Sequence, residues 1–312
     1  MNSFWHDLPK PFFVLAPMDA VTDTVFRHVV AKTARPDVFF TEFTNTDAFC
    51  SPKGSFSTET RLRFTPDEQP LVAQIWGTNP EHFAQMAKGL AKLGYTAIDI
   101  NMGCPVKDII KKGSCSALID TPSLAAEIIA ATKEGGLPVS VKTRVGTKVQ
   151  KTEEWIGFLL QQDIAALTVH ARTAKEMSKV PARWEEIAKS VQLRNQIAPD
   201  TILIGNGDVR DRQHGLELAE QTGVDGIMIG RGIFTNVFCF EQQPREHSKQ
   251  ELLDTLKFHL DLFEQTWSER PYAPLKRFFK IYIRDFDGAS ELRAALMDTK
   301  NIAEARELLQ TA

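Results

Sequence analysis

Eight short apolar runs recur along the first three quarters of the chain and limit the folds open to it. They span residues 12–18, 37–43, 70–77, 97–103, 138–145, 166–172, 201–207 and 226–232. Each is nearly continuously apolar and rich in β-branched residues, which is typical of parallel strands that are covered on both faces. Their starts lie 25 to 41 residues apart, the spacing of a strand followed by a helix.

Helices with recognisable ends are expected between these strands. Asn79-Pro80 is a typical helix start and Gly94 a typical end, and the same pattern recurs at 121–135 and 211–223. Eight strands alternating with helices predict an α/β fold of the (β/α)8 TIM barrel type. The rival is an open doubly wound sheet, which typically carries G-x-G-x-x-G after its first strand. This chain reads APMDA at residues 16–20, which favours the barrel.

The pattern changes after about residue 240. Residues 248–267 form an amphipathic helical stretch with no strand before it, and Pro271 and Pro274 separate it from further helical stretches that run to residue 310. We therefore predict a catalytic barrel in residues 1–243 and a small helical domain in residues 244–312.

Composition excludes several classes of protein. The four cysteines of the 312-residue chain form no C-x-x-C pair, which argues against a zinc ribbon and a thiol redox motif. We expect no signal peptide, because no basic stretch leads into an apolar run near residue 1, and no membrane span, because no 18-residue apolar stretch occurs. We expect a cytoplasmic monomer that binds neither a membrane nor a metal.

Polar side chains cluster where six successive runs end. In a barrel, chemistry gathers at the C-terminal ends of the strands, and unpaired polar groups are costly to bury without a purpose. The polar residues at these ends are Gln74, Asn101, Cys104, Lys142, Arg144, His170, Arg172, Asn206, Asp208 and Arg231. This set predicts an active site at that end of the barrel.

Two glycine-rich ends indicate the class of ligand. The segments 205–207 (GNG) and 230–232 (GRG) end the last two runs, where barrels often bind phosphate through backbone N–H groups. Arg231 would add a charge-assisted hydrogen bond. Lys142 then suits a flavin, whose reduced ring is negative near N1 and O2, and it equally suits the Schiff base of an aldolase. The spacing of these residues leaves both possibilities open.

Cys104 is the candidate proton donor. The segment Gly103-Cys104-Pro105 follows the fourth run, and Pro105 restricts the backbone there. A free cysteine has a pKa of about 8.5, so it is mostly protonated at neutral pH and can donate a proton. We interpret Cys50, Cys115 and Cys239 as packing residues.

These motifs together resemble the tRNA-dihydrouridine synthase family over about residues 12–235. The matching segments, in order, are Ala16-Pro17-Met18, Gln74, Asn101-Met102-Gly103-Cys104-Pro105, Lys142-Thr143-Arg144, His170-Ala171-Arg172, Asn206-Gly207-Asp208 and Gly230-Arg231-Gly232. The N-x-G-C-P element is the most specific of them. One departure is Cys115, which stands where the family usually has glycine or alanine.

The resemblance implies FMN as the bound cofactor and NADPH as the reductant. It implies that hydride passes from FMN N5 to uracil C6 while Cys104 protonates C5 from the opposite face. The uridine must leave its stack to reach a buried flavin, which is least costly in a strained tRNA loop. The implied cofactor-binding residues are Ala16, Pro17, Met18, Gln74, Lys142, His170, Asn206, Gly207, Asp208, Gly230 and Arg231.

The net charge of −3 conceals three basic loops. Residues 142–151, 171–183 and 104–113 carry +4, +3 and +2, which leaves −12 on the rest of the chain. Residues 270–284 add five basic side chains without an acid, interleaved with aromatic residues. A basic face of this kind is what binding to a phosphate backbone requires. We expect substrate contacts from Asn101, Arg144, Arg172, Lys276, Arg277 and Lys280.

Three other functions remain open at this stage. An FMN barrel that reduces a small pyrimidine or enone would share the phosphate site and Lys142 but would not need the basic loops. A Schiff-base aldolase would use Lys142 without a flavin. A non-catalytic RNA-binding protein would leave Cys104 and Lys142 without a role.

Overall fold

The computed structural model describes residues 3–267 and 269–311, and its centre is a sheet of parallel strands. The strands are β1 (Phe12–Leu15), β2 (Phe39–Phe40), β3 (Thr44–Asn45), β4 (Leu71–Trp76), β5 (Ala97–Met102), β6 (Val139–Arg144), β7 (Ala166–His170), β8 (Ile202–Asn206) and β9 (Gly226–Ile229).

The sheet closes into a barrel. The strand order is β1-β9-β8-β7-β6-β5-β4-β2, and a parallel bridge between Val14 and Val38 joins the two ends. The backbone N–H of Leu15 also donates to the Val38 carbonyl at 3.2 Å. Strand β3 pairs with the last residues of β4, outside this ring. The predicted (β/α)8 barrel is confirmed.

Helices surround the barrel and follow it. They are α1 (Thr24–Ala34), α2 (Thr46–Phe49), α3 (Ser55–Leu62), α4 (Pro80–Leu93), α5 (Lys107–Lys111), α6 (Pro122–Lys133), α7 (Gly157–Leu160), α8 (Trp184–Ile197), α9 (Arg212–Thr222), α10 (Lys249–Thr266), α11 (Phe279–Tyr282), α12 (Ala289–Asp298) and α13 (Ile302–Gln310). In the part of the chain that the structure describes, none of these helices has the length and apolarity needed to cross a membrane.

The predicted helix ends are observed. The Asn79 side chain accepts a hydrogen bond from the backbone N–H of Glu81, and Gly94 ends α4 in the left-handed region at φ 88°. Asp211 caps α9 in the same way, and Gly223 ends it at φ 74°. Glycine adopts this conformation without the clash that a β-carbon would make, which explains both stops.

The strands are shorter than the apolar runs that predict them. Asp208 lies in the loop beyond β8, Arg231 begins the 3-10 helix Arg231–Phe234 beyond β9, and Arg172 lies beyond β7. At Gly207 the backbone turns to φ 131°, which no regular strand adopts. Gln74, by contrast, does not lie at a strand end but inside β4, two residues before its last residue. Six of the ten predicted polar residues therefore lie within strands, and the other four follow the strand ends.

The C-terminal helices share one apolar core with the barrel. The ring of Phe26 in α1 lies 4.9 Å from that of Phe278, and Leu256 of α10 belongs to the same buried cluster. The Asp23 carboxylate accepts hydrogen bonds from Trp267 Nε1 at 3.1 Å and from Arg270 at 3.2 Å. The division of the chain at residue 243 stays a prediction.

A buried ion pair connects α1 to the segment before β4. Arg27 Nε donates to Glu68 at 2.5 Å, and the two side chains are 0% and 2% exposed. The same guanidinium donates to the carbonyls of Thr22 at 2.6 Å and Arg63 at 2.9 Å. One cation therefore holds the loop after β1 against the loop after α3.

Replacing Glu68 by alanine should destabilise the fold by about 3 to 5 kcal/mol, because the Arg27 charge would stay buried without its partner. Urea unfolding would measure the loss. The matched control is Glu134→Ala, which breaks the exposed pair with Lys88 and should cost below about 1 kcal/mol. Equal losses in the two variants would contradict this assignment.

Candidate active site

A cavity of about 720 Å³ opens at the C-terminal end of the barrel. Ten of the eleven predicted cofactor residues line it, namely Ala16, Pro17, Met18, Lys142, His170, Asn206, Gly207, Asp208, Gly230 and Arg231. Arg144 and Arg172, which were predicted to contact substrate, line it too. Residues distant in the sequence thus meet at one site because the parallel strands all end at the same edge.

Lys142 on β6 is directed to the cavity by its neighbour on β8. Its Nζ donates to Asn206 Oδ1 at 3.2 Å, and Asn206 Nδ2 donates to the Met228 carbonyl at 2.9 Å. Burial, followed by repulsion from the Arg144 guanidinium, lowers the pKa of Lys142 to about 8. The ammonium has three N–H donors and uses one of them on Asn206. An anionic ligand in the cavity could accept hydrogen bonds from the other two.

His170 is neutral and has a defined tautomer. Arg172 Nη1 lies 3.1 Å from His170 Nε2. Because a guanidinium only donates, Nε2 accepts and the ring proton lies on Nδ1. Burial and the cations around it, first Arg144 and Lys142, hold the pKa of His170 well below its usual value.

Asp208 orients the arginines of the site. Its carboxylate accepts hydrogen bonds from Arg172 Nη2, from the backbone N–H of Ala182 at 2.9 Å and from Arg231 Nη2 at 2.8 Å. A carboxylate repels phosphate, so this side chain would act on an anion through Arg231. The Arg231 side chain is 62% exposed and keeps donors free on its other edge.

The two glycine-rich loops require glycine. A β-carbon at Gly207 would lie 2.8 Å from Ala182 Cβ and 3.2 Å from His170 Cδ2. One at Gly232 would lie 2.4 Å from the Arg210 carbonyl oxygen. The bare backbone at these places forms the cavity wall beside Arg231. Backbone next to a guanidinium is a suitable environment for a phosphate group.

A chain of buried hydrogen bonds runs beneath the cavity. Asp99 on β5 accepts from Ser140 Oγ at 2.7 Å and from Gln74 Nε2 at 2.8 Å. Asn101 Nδ2 donates to Gln74 Oε1 at 3.0 Å. Asn101 Oδ1 accepts from the backbone N–H groups of Gly103 and Cys104, both at 3.0 Å. This series of hydrogen bonds therefore fixes the backbone that carries Cys104.

This series of hydrogen bonds changes the expected roles of two residues. Gln74 is fully buried and does not line the cavity, and Asn101 is 6% exposed. Their side chains hold each other and the Cys104 loop, and direct contacts of Gln74 with flavin and of Asn101 with substrate stay predictions. The sequence interpretation missed Asp99. Its signal is a carboxylate two positions before Asn101 inside an apolar run, which places both on one face of a strand.

Arg144 joins the Cys104 loop to the loop after β7. Its Nε donates to the Gly103 carbonyl at 2.8 Å, and its Nη1 donates to the carbonyls of Thr173 and Met177 at 3.0 Å. The side chain is buried. Arg144 therefore stabilises the mouth of the barrel, in addition to any contact that it makes with substrate.

Cys104 is half-buried and more acidic than an ordinary thiol. Hydrogen bonds from the Cys115 thiol and from the Val106 backbone N–H, with the nearby Arg144 charge, lower its pKa to about 7 against the opposing effect of burial. The thiol therefore ionises more readily at neutral pH than the sequence led us to expect.

Basic side chains at the barrel mouth are more available than those of residues 270–284. Lys107, Lys112, Lys148, Lys175 and Lys179 are exposed on the loops after β5, β6 and β7. In the later segment, Lys276 donates to the Met297 carbonyl at 2.6 Å and Arg277 to the Ala20 carbonyl at 3.1 Å, whereas Lys280 is exposed.

The described residues differ from the arrangements of side chains that hold metal ions. Within residues 3–267 and 269–311, no three His, Cys, Asp or Glu side chains are arranged to hold a metal ion.

Burial raises the pKa of Asp99 to about 6, even though Ser140, Gln74 and Lys142 favour the ionised form. An unfolded aspartate has a pKa of about 3.9. The stability that protonated Asp99 contributes is thus full below about pH 4 and is lost as the pH rises through about 6.

Asp99→Asn cannot ionise and should lack this loss. Relative to wild type, its free energy of unfolding should gain on the order of 2 kcal/mol between about pH 4 and pH 6.5. Urea unfolding of both proteins across that range measures the difference. Parallel pH curves would show that Asp99 does not titrate in this window.

Comparison with known proteins identifies the family. A sequence model described as dihydrouridine synthase (Dus) matches residues 14–312. The probable tRNA-dihydrouridine synthase 2 of Bacillus subtilis (strain 168) is 60% identical over 311 residues, which cover 99% of this chain and 96% of that protein. The probable tRNA-dihydrouridine synthase of Staphylococcus aureus (strain COL) is 58% identical over 311 residues, covering 99% and 95%. The chain belongs to the dihydrouridine synthase family.

Proposed function

We propose that this protein reduces the C5–C6 double bond of specific tRNA uridines to give 5,6-dihydrouridine, with bound FMN as cofactor and NADPH as reductant. The observation that carries the proposal is the placement of Cys104. Asn101 holds the backbone of Cys104, and the next residue, Pro105, lines the cavity together with Lys142, Arg172 and Arg231, although Cys104 itself is not one of the lining residues. Names of the relatives support tRNA as the substrate.

The residues present fit FMN. The glycine loops and Arg231 would hold its phosphate, and Asp208 would orient that arginine. Lys142 would face the N1/O2 side of the ring, where its remaining N–H donors match the negative charge of the reduced form. Ala16, Pro17 and Met18 would supply an apolar wall. Bound FMN would supply the hydride that is added to C6 of the uracil.

Cys104 would supply the proton that is added to C5. A thiol is suited to this role because its pKa lies near the operating pH, which favours proton transfer in general acid catalysis. The backbone N–H of Cys104 donates to Asn101 Oδ1, and Arg144 Nε donates to the Gly103 carbonyl. These two hydrogen bonds hold the Cys104 loop in one position. Neutral His170, fixed by Arg172, would line the cofactor cavity without adding a positive charge.

The exposed lysines at the barrel mouth would hold the tRNA backbone. Each cation that neutralises a phosphate releases counterions, and this provides affinity without reading the sequence. The helices in residues 244–312, with Lys276, Arg277 and Lys280, would extend this surface as a tRNA-binding unit. A tRNA substrate would place the activity in the cytoplasm.

The direct test is to map dihydrouridine in tRNA from cells that lack this gene. Particular tRNA positions should revert to uridine, and the wild-type gene should restore dihydrouridine there. A gene that encodes Cys104→Ala should not. Unchanged dihydrouridine at every position would contradict the proposed substrate.

Cys104→Ala should separate the two half-reactions. The variant should retain FMN and be reduced by NADPH at the wild-type rate, because the thiol would contact uracil rather than flavin. Turnover on tRNA should fall by about 100-fold or more, the usual contribution of a general acid. Stopped-flow flavin absorbance and dihydrouridine analysis measure the two steps. Wild-type turnover would exclude Cys104 as the acid.

Arg231→Ala should weaken FMN retention by about tenfold to a hundredfold, because a guanidinium–phosphate hydrogen bond is worth about 1.5 to 3 kcal/mol. Arg231→Lys keeps the charge and should lie between this variant and wild type. Flavin content after dialysis gives the result. Full occupancy in the alanine variant would place the phosphate elsewhere, and a wild-type protein without flavin would favour the aldolase alternative.

Binding to tRNA should depend strongly on salt, with about 0.7 to 0.9 of slope in log affinity against log salt for each phosphate contact. Replacing Lys276, Arg277 and Lys280 by alanine should flatten the slope by roughly two to three. Replacing Lys148, Lys175 and Lys179 should have a similar effect. Flavin content should stay normal in both triple variants.

The matched control removes Lys88, Lys92 and Lys189, which lie on helices α4 and α8 around the barrel. Its slope should equal that of wild type. An unchanged slope in the first triple variant, together with a flattened slope in the second, would assign tRNA binding to the barrel mouth alone.

A further inference from the structure

A smaller cavity, of about 210 Å³, lies beside the active-site cavity at the mouth of the barrel. It is lined by Asp19, which directly follows Met18 of the first cavity, and by Ile109 of α5, on the loop that carries Cys104. Strands β3 and β4 supply further lining residues, among them Trp76. We call it the Trp76 cavity.

Two aromatic rings form part of its wall. Phe43 and Trp76 both line it, with ring centroids 6.5 Å apart and planes at 73°, an edge-to-face arrangement. Both side chains are partly exposed. Trp76 lies two residues beyond Gln74 on β4, so the two side chains share one face of the strand. The volume is below the roughly 300 to 1,000 Å³ of pockets that enclose a drug-sized molecule, and it therefore suits a single planar ring system.

Thr44 brings an unpartnered polar group to this cavity. It lines the cavity and is 0% exposed, and its hydroxyl has no hydrogen-bond partner among the described residues. Burying a hydroxyl without a partner costs free energy, and most buried polar groups are therefore paired. A hydroxyl can both donate and accept, so a ligand with a carbonyl or ring nitrogen at its edge would supply the partner. Nucleobases combine such an edge with a planar face.

The cavity lies between the two basic surfaces that we propose bind tRNA. On one side, Ile109 belongs to the loop of residues 104–113, which carries three lysines. On the other side, Arg61 lines both this cavity and one of about 420 Å³ that Arg270 and Arg277 line as well. An RNA strand that contacts both surfaces would pass over the Trp76 cavity. The position therefore favours a base of RNA over other planar ligands.

Arg61 is held in place between these two cavities. Its Nη1 donates to Asp19 Oδ1 at 2.5 Å and to Glu42 Oε1 at 3.4 Å. The same Glu42 oxygen accepts from the backbone N–H of Ala20 at 2.5 Å. The Arg61 side chain is 32% exposed, so its other N–H groups could donate to a phosphate of the same strand.

We propose that the Trp76 cavity binds the base of a tRNA nucleotide next to the target uridine. The target uracil must lie against FMN and near Cys104, and neither Cys104 nor the predicted FMN residues line this cavity. Contact with the aromatic rings and a hydrogen bond to Thr44 would hold the neighbouring base apart from its stack, which lowers the cost of extruding the uridine. The inference rests on the proposed function.

Thr44→Val tests the hydroxyl. The variant removes a group without a protein partner, so its free energy of unfolding in urea should equal or exceed that of wild type. Its dissociation constant for tRNA should rise about twofold to tenfold, the effect of one lost hydrogen bond. The matched control is Thr46→Val. It removes another buried hydroxyl that lacks a partner among the described residues but does not line the cavity, and tRNA binding should stay unchanged.

Phe43→Ala tests the aromatic wall. Its dissociation constant for tRNA should rise about tenfold to a hundredfold, the usual effect of losing a stacking partner, whereas Phe43→Tyr should bind as wild type does. Two transcripts, which lack the base on the 5′ or the 3′ side of the mapped target uridine, identify the bound base. Wild type should lose affinity for one of them by a similar factor, and Phe43→Ala should lose no more. Reduction of the flavin by NADPH should be unchanged in every variant.

Losses that multiply when Phe43→Ala is combined with either missing base would overturn the inference. Wild-type tRNA affinity in Thr44→Val would also overturn it, since the unpartnered hydroxyl would then not face the RNA. A raised KM for NADPH with unchanged tRNA affinity would assign the cavity to the dinucleotide instead. In all three outcomes wild type still binds tRNA and reduces its uridines, which separates them from a failure of the proposed function. A wild-type protein that does not bind tRNA would contradict both.

Discussion

The buried carboxylate of Asp99 is the constraint on which the site depends. A carboxylate inside a barrel is costly unless its oxygens accept hydrogen bonds, and Ser140 and Gln74 supply them. Once Gln74 is held in this way, its other end holds Asn101, and Asn101 holds the backbone of Cys104. One core charge thus sets the position of a loop at the barrel mouth. The rigidity comes from the strands, since each member of the chain up to Asn101 lies on β4, β5 or β6.

A second network serves the opposite side of the cavity. Asp208 there gathers Arg172 and Arg231, and Arg172 in turn fixes the tautomer of His170. The two networks hold different groups: the first holds the loop of Cys104, which we propose as the proton donor, and the second gathers positive charge. Arg144 connects them, because it bonds the Cys104 loop and the loop after β7. The arrangement would suit the anionic cofactor that we propose, because the Asp208 carboxylate is paired with Arg172 and Arg231.

The sequence predicted the barrel and its helix ends, because strand periodicity and glycine stops are local properties. Ten of the eleven predicted cofactor residues line the cavity, but other lining residues, such as Met177 and Asn236, were not predicted. The sequence did not predict which side chains pair. Gln74 was expected at the cavity and lies beneath it, since its position along β4 depends on register with β5. Asp99 was hidden by its apolar neighbours. Cys115 adopts a left-handed conformation at a non-glycine residue, which no propensity indicates. Strand β3 and helices α2 and α3 were also missed, because the segments are too short to show a period.

The central claim is that one cavity supports both a reducible flavin and a tRNA uridine. The most direct measurement is anaerobic reoxidation of the NADPH-reduced protein by an unmodified tRNA transcript, followed by flavin absorbance. The account predicts that the transcript restores the oxidised flavin spectrum and acquires dihydrouridine in equal amount, whereas free uridine and a simple enone react far more slowly. A flavin that stays reduced with tRNA but is reoxidised by a small pyrimidine or enone would contradict it.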